Sequence, residues 1–338
     1  MPPKPLIVTF AESGPGETIL IEFPNGQVGV VDASPSKSGC RPTLAKELHG
    51  RDVVFVCLTH PHKDHGDDLL PLLKSAKISQ FWHSLPDIEP FVYFVTQGTT
   101  FRSHVSQLAK RARVERAHFV LDVWTMVKCR KIECLSYDAS RESVEVGGVT
   151  IHFLAPDRGV LTRETERLHT CLKESEPATP PDPNVFSLIL AIEYAGKVVL
   201  LGADGLRAAW KTAHTKWRKK KLPAALVLKV PHHGAKNAFD LRPANQQRLD
   251  CLDLCSKRPE AIIFAGDFAH PDPRVHASLK EKTNLHSFFD LDEMPPNSNP
   301  LGLHTPGARV VHNGIRPQIH CKIVCEIKSS GDVEVRRE

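Results

Sequence analysis

The run Thr59-His60-Pro61-His62-Lys63-Asp64-His65, placed directly after the apolar stretch Val53 to Leu58, constrains this chain more than any other feature. Three imidazoles and a carboxylate crowd into the positions that follow a buried strand. Alternate residues of an extended turn point the same way, so several ring nitrogens and a carboxylate oxygen can converge on one or two cations. A solvated turn has no use for that density, and unpaired polar groups beside a core are costly. The spacing predicts a metal site on a strand-to-loop turn.

Later segments repeat the pattern of an apolar strand ending in a ligand-type residue. They are Val30-Val31-Asp32, Val198 to Asp204, and Val227 to His233. In this order, with the H-x-H-x-D-H run, they resemble the metallo-β-lactamase fold superfamily. The resemblance implies an α/β chain folded as an αββα four-layer sandwich, with helices outside two packed sheets. It implies two divalent metal ions, zinc or manganese. His60 and His62 are expected on the first ion, Asp64 and His65 on the second, and Asp204 between them. His233 is the expected strand-end ligand, with His232 a close alternative. His232 and His270 are expected to orient substrate or protonate a leaving oxygen, and Asp64 to lie near the attacking water. Asp32 is expected to hold the metal loop through hydrogen bonds.

A closer resemblance is to the hydrolase domain of the DNA-uptake channel protein ComEC and its stand-alone relatives. It rests on Gly14 to Ile21, on Asn184-Val185-Phe186-Ser187-Leu188, on Pro231-His232-His233-Gly234 and on Ala269 to Val275. Ala235 and Asp272 depart from the pattern, where those relatives carry Ser and a second His. Asn184 enters the site as a substrate contact on this basis. The histidine that many superfamily members place before the bridging Asp has only His152 or His169 as counterparts here, and His83, His104 and His118 are further candidates for the first ion.

At 338 residues the chain is long enough for one large core, and we expect a single domain over residues 1–338, with an insertion at 84–143 over the active-site face. Ser103 to Arg113 reads as a basic amphipathic helix within that insertion. No stretch approaches the roughly 20 apolar residues of a membrane span. The nine cysteines form no C-x-x-C pair, so reduced thiols are expected. A soluble cytoplasmic protein without a membrane partner is the expectation.

Apolar runs between Gly and Pro turns predict an antiparallel meander over Leu6 to Val31. A helix is expected over Asp67 to Lys77, strands over Val144 to Leu154, Ser187 to Glu193 and Lys197 to Leu201, and a hairpin over Ile319 to Val335. Between Asp204 and the His doublet, Gly205 to Leu222 holds no acidic residue and ends in Lys216-Trp217-Arg218-Lys219-Lys220-Lys221. Cations with an interleaved aromatic can track phosphates and stack a base. The expected function is a phosphodiesterase or nuclease with nucleic acid as substrate. A small-molecule ester or phosphodiester hydrolase is the alternative, and a metal-stabilised sensor without catalysis is the third.

Overall fold

The computed structural model describes residues 4–14, 16–36, 38–85, 119–141, 143–173, 182–239, 249–264, 270–288 and 320–338, with main chain alone over 168–173. The first sheet has eight strands. It comprises β1 (Leu6–Ala11), β2 (Thr18–Glu22), β3 (Val28–Ala33), β4 (Asp52–Cys57), β5 (Lys77–His83), β6 (Glu133–Ser136), β14 (Lys322–Ile327) and β15 (Val333–Arg337), in the order β15-β14-β1-β2-β3-β4-β5-β6. The second has seven: β7 (Val144–Val146), β8 (Val149–Ala155), β9 (Ile189–Tyr194), β10 (Lys197–Leu201), β11 (Ala225–Lys229), β12 (Cys255–Ile263) and β13 (Asn284–Ser287), in the order β13-β12-β11-β10-β9-β8-β7.

Strand alternation explains the layering. In β10, Val199 and Leu201 face the interior between the sheets, while Val198 and Leu200 face the outer helices. In β4, Phe55 and Cys57 point inward, and Val53 and Val56 pack under the helix Leu69–Ser75. Strands covered on both faces read as continuous apolar runs, which is how they stand in the sequence. Trp210, Trp217 and Leu279, from the helices Arg207–Lys220 and Pro273–Lys282, cover the other outer face. The result is the αββα four-layer sandwich that the sequence predicts.

The meander is antiparallel across β1-β2-β3, and the pairing from β3 through β6 is parallel. In the second sheet β10 through β13 are parallel. The carboxyl ends of these parallel strands therefore leave their sheets along one side each, the usual place for binding loops in such sheets. Val144 to Leu154 resolves into the hairpin β7–β8, because Gly147 and Gly148 both take positive φ and turn the chain back. The terminal hairpin β14–β15 forms around Ser329 to Asp332. Of the segment 84–143, residues 86–118 lie outside the described residues, including His104, His118 and the expected basic helix. The described remainder supplies a helix over 119–129, whose Phe119, Val120, Val123 and Val127 join the outer layer, and strand β6. Among the described residues no helix is long and apolar enough to cross a membrane.

His83 closes β5 in this layer, buried beside Trp124. Burial pushes its pKa down to about 4, against a hydrogen bond with the Leu85 backbone. The unfolded chain takes up this proton near pH 6.5, before the folded one does, so stability is complete above that pH and declines as pH falls toward 4. We expect the stability difference between wild type and His83→Phe to change by about 2 to 3 kcal/mol between pH 7 and pH 4.5, in favour of the variant at acid pH. Urea unfolding at both values measures it, and a pH-independent difference would refute the assignment.

Candidate metal centre

Asp32, at the end of β3 with positive φ, sits fully buried beneath the His-rich loop. Its carboxylate accepts hydrogen bonds from the Thr59 amide at 2.8 Å, the Thr59 hydroxyl at 2.7 Å and His65 Nδ1 at 2.7 Å. Both ends of the loop are thereby tied to one anion. The fixed Nδ1 bond leaves His65 Nε2 as the atom offered to the interior of the site. Burial alone lowers the His65 pKa, but the Asp32 and Asp204 carboxylates outweigh it and lift the value to about 10.

Around this point two donor sets form, each with ligand atoms within 4.8 Å of one another. The first is His60, His62 and Asp204; the second is Glu17, His65, Asp204 and His233. Asp204 follows β10, belongs to both, and is 3.5 Å from His60 Nε2 through one oxygen and 3.5 Å from His65 Nε2 through the other. His233 Nε2 lies 3.7 Å from that second oxygen. Burial raises the Asp204 pKa, yet His65, His233 and His60 together hold it well below the usual carboxylate range.

His65 Nε2, both ring nitrogens of His233 and Asp204 Oδ1 are buried with no hydrogen-bond partner. Buried polar atoms are rarely left so. Their separations exceed hydrogen-bond length but match a shared cation, since ligands about 2.1 Å from a tetrahedral ion stand about 3.4 Å apart. A divalent ion therefore fits the residues present. A cation entering the second set would replace the proton that His65 holds between two carboxylates.

The strand-end histidine comes from an unusual backbone. His232, His233 and Gly234 all have positive φ, at 47°, 51° and 77°, so the two imidazoles splay to opposite sides of Asp204. His233 is buried within the second set. His232 lies outside both sets, with its Nε2 3.6 Å from Asp204 Oδ2 and 3.4 Å from Asn184 Nδ2. Its ring centroid is 5.7 Å from that of His270. Burial lowers the His232 pKa against the pull of Asp204. His232, His270 and Asn184, the expected substrate-facing residues, thus lie together, with His232 against the Asp204 oxygen that also approaches His60.

Two expected site residues stand elsewhere. The Asp64 carboxylate belongs to neither donor set. The tight turn Lys63–His65 points His65 inward and leaves Asp64 half-buried, and what Asp64 contributes is its carbonyl, which accepts the Glu17 amide at 3.3 Å and the Ser34 hydroxyl. Glu17 takes the carboxylate position instead. Gly16 permits this approach, because a Cβ there would collide with the Asp64 carbonyl and the Ser34 side chain. The second correction concerns Trp217, which is only 6% exposed and packed among Leu222 and Leu228, so it offers no stacking surface. Lys216 is half-buried, Lys220 donates to Ser143 Oγ at 3.0 Å, and Arg218, Lys219 and Lys221 are exposed. The helix begins at Arg207, three residues after Asp204, so its rise sets these cations about 14 to 20 Å along the helix from its start.

Among the remaining histidines, His152 is held between Ser143 and Glu193 and stands outside the site, and the His169 side chain lies outside the described residues. Lys229 was not foreseen. It ends β11 completely buried, in contact with Glu17 and donating to the Ala203 carbonyl at 2.9 Å.

No family model matches the chain, and no curated protein matches it. Among solved structures, it is similar to Igni18, a metallo hydrolase from the hyperthermophilic archaeon Ignicoccus hospitalis KIN4/I, at 15% identity and a TM-score of 0.44, over 83% of this chain and 94% of that one. A diphosphatase of the PhnP family matches at 12% identity and 0.40, over 85% and 95%. CmlA, a diiron β-hydroxylase from Streptomyces venezuelae, matches at 12% and 0.39, over 84% and 53%.

Replacing Asp32 by Asn removes the charge that orients His65 without removing volume. Metal affinity is expected to fall about 10- to 100-fold. Equilibrium dialysis with elemental analysis reads this directly, and undiminished metal uptake would show that Asp32 does not serve the site.

Proposed function

We propose that this protein is a metal-dependent hydrolase acting on phosphodiesters. The observation that carries the reading is the pair of donor sets sharing Asp204, the second of which holds His65 Nε2, both His233 ring nitrogens and Asp204 Oδ1 buried without a hydrogen-bond partner. Imidazoles with carboxylates suit zinc, and the carboxylate share also admits manganese. Bound there, divalent ions would supply Lewis acidity toward a phosphoryl oxygen and an acidified water.

The chain's own residues supply the rest. Asn184 Nδ2 can donate to a substrate oxygen from the rim where it meets His232. His232 and His270, side by side next to Asp204, are placed to hold or deliver a proton to the leaving oxygen.

For the substrate, we infer a nucleic acid. Lys211, Arg218, Lys219 and Lys221 lie exposed along and just beyond a helix that starts at the metal centre. A line of cations leading away from a hydrolytic site can be used only by a substrate long enough to reach it. The burial of Trp217 favours a second reading, a small-molecule ester or phosphodiester hydrolase, because the basic run lacks the stacking surface that single strands prefer.

The test uses metal-loaded protein with bis(p-nitrophenyl) phosphate and with labelled single- and double-stranded DNA and RNA. Asp204→Asn should lower both metal content and turnover, the latter at least about 100-fold. Replacing Lys219, Lys220 and Lys221 by Ser should weaken polymer binding and flatten its log-log salt slope, by roughly 0.7 to 0.9 for each phosphate no longer neutralised, while leaving the small substrate's turnover unchanged. An unaltered slope would move the small-molecule reading ahead, and a protein that takes up no metal would end both.

A further inference from the structure

Strand alternation sends Lys229 to a place where lysine is rarely found. In β11, Val227 faces the interior between the sheets and Leu228 faces the outer helices, so Lys229 points inward like Val227. Its side chain is 0% exposed. An ammonium there has lost its water and depends on the acceptors around it. Two are in contact: the Glu17 carboxylate, from the turn before β2, and the Ala203 carbonyl, from the residue before Asp204.

Glu17 is 1% exposed and shared. One oxygen rests on Lys229, and the carboxylate also approaches His65 Nδ1 at 3.9 Å and His233 Nδ1 at 4.0 Å. Whichever partner holds the proton, the Glu17–Lys229 pair carries no net charge. Of the two carboxylates in the second donor set, Glu17 is therefore the one paired to Lys229, whereas Asp204 faces imidazoles and is shared with the first set. The first set, His60, His62 and Asp204, includes no residue paired to Lys229.

We propose that Lys229, sharing one proton with Glu17, offsets that carboxylate's charge at the second donor set in place of a metal ion. It holds Glu17 and the Asp204 strand end together when that set is empty, and it makes the second set the weaker of the two for a divalent ion. Lys229 is thus a positioning residue, acting through Glu17. The inference rests on the metal-binding reading given above, and it predicts two effects of opposite sign for a single substitution, which a purely structural lysine would not produce.

Lys229→Met leaves Glu17 buried and unpaired, so the metal-free protein should melt roughly 10 °C lower. The same substitution unmasks the Glu17 charge, so the weaker of two zinc-binding steps in calorimetric titration should tighten about tenfold or more, and saturating zinc should return the melting temperature to that of the zinc-loaded wild type. Lys229→Arg, which keeps the charge, should retain the wild-type separation of the two steps. The double variant Glu17→Gln, Lys229→Met removes both charges and should recover most of the metal-free stability while binding the second zinc no better than wild type. A second step that is unchanged or weakened in Lys229→Met overturns the proposal. So does failure of excess zinc to refold that variant, should it not fold without metal. Absence of zinc binding by the wild type would instead defeat the functional reading, and the metal-free stabilities of the single and double variants would still decide whether Lys229 compensates Glu17.

Discussion

Two sheets that share one apolar interior must leave their strand ends at its margins, and everything functional in this protein depends on that packing. Phe10, Val31, Phe55 and Cys57 from one sheet meet Phe153, Leu190, Val199 and Val227 from the other. With that register set, the end of β4 delivers the His-rich loop, the end of β10 delivers Asp204, the end of β11 delivers Lys229 and then His233, and the turn before β2 delivers Glu17. None of these ligand positions is local to another sheet's strand in sequence. The core brings them together, and the hydrogen bonds of Asp32 then fix which imidazole nitrogen looks inward.

What the sequence disclosed and what it hid follow from the same physics. The meeting of His60, His62, His65, Asp204 and His233 at one point was legible because each follows directly on an apolar strand. The two-sheet layering was legible from runs such as Val198 to Leu201, where both faces must be covered. Glu17 and Lys229 were not, because an isolated charged residue at a strand end ordinarily signals a solvated position. Their burial arises only from pairing across the two sheets, which no local pattern encodes. The Asp64 carboxylate stays outside both donor sets because the tight turn Lys63–His65 gives His65 the inward direction. The basic run at Lys216 to Lys221 is adjacent to Asp204 in sequence, but helical rise turns that adjacency into distance, and the helix buries Trp217 as one of its apolar anchors.

The balance of charge at the centre divides the labour among three anions. Asp32, Glu17 and Asp204 are all nearly inaccessible to water, and each faces a different countercharge or donor: Thr59 with His65, Lys229, and the cluster of imidazoles. Buried ions are tolerated only where each is paired and hydrogen-bonded. The arrangement separates the tasks, since one anion orients a ligand, one is held in check by an ammonium, and one is left to face the shared position. Such a division keeps the ligand atoms in place while allowing their charge to change.

On the side away from β2, β1 pairs with β14, more than 300 residues later in the chain. A nascent chain would therefore expose the Glu17 turn and the His-rich loop early, display Asp204 and His233 next, and still lack the strands that seal the first sheet. Loop-closure entropy must be overcome before contacts of such separation are rewarded. During synthesis the donor-rich segments thus exist for a period without the closed pair of sheets that brings them together.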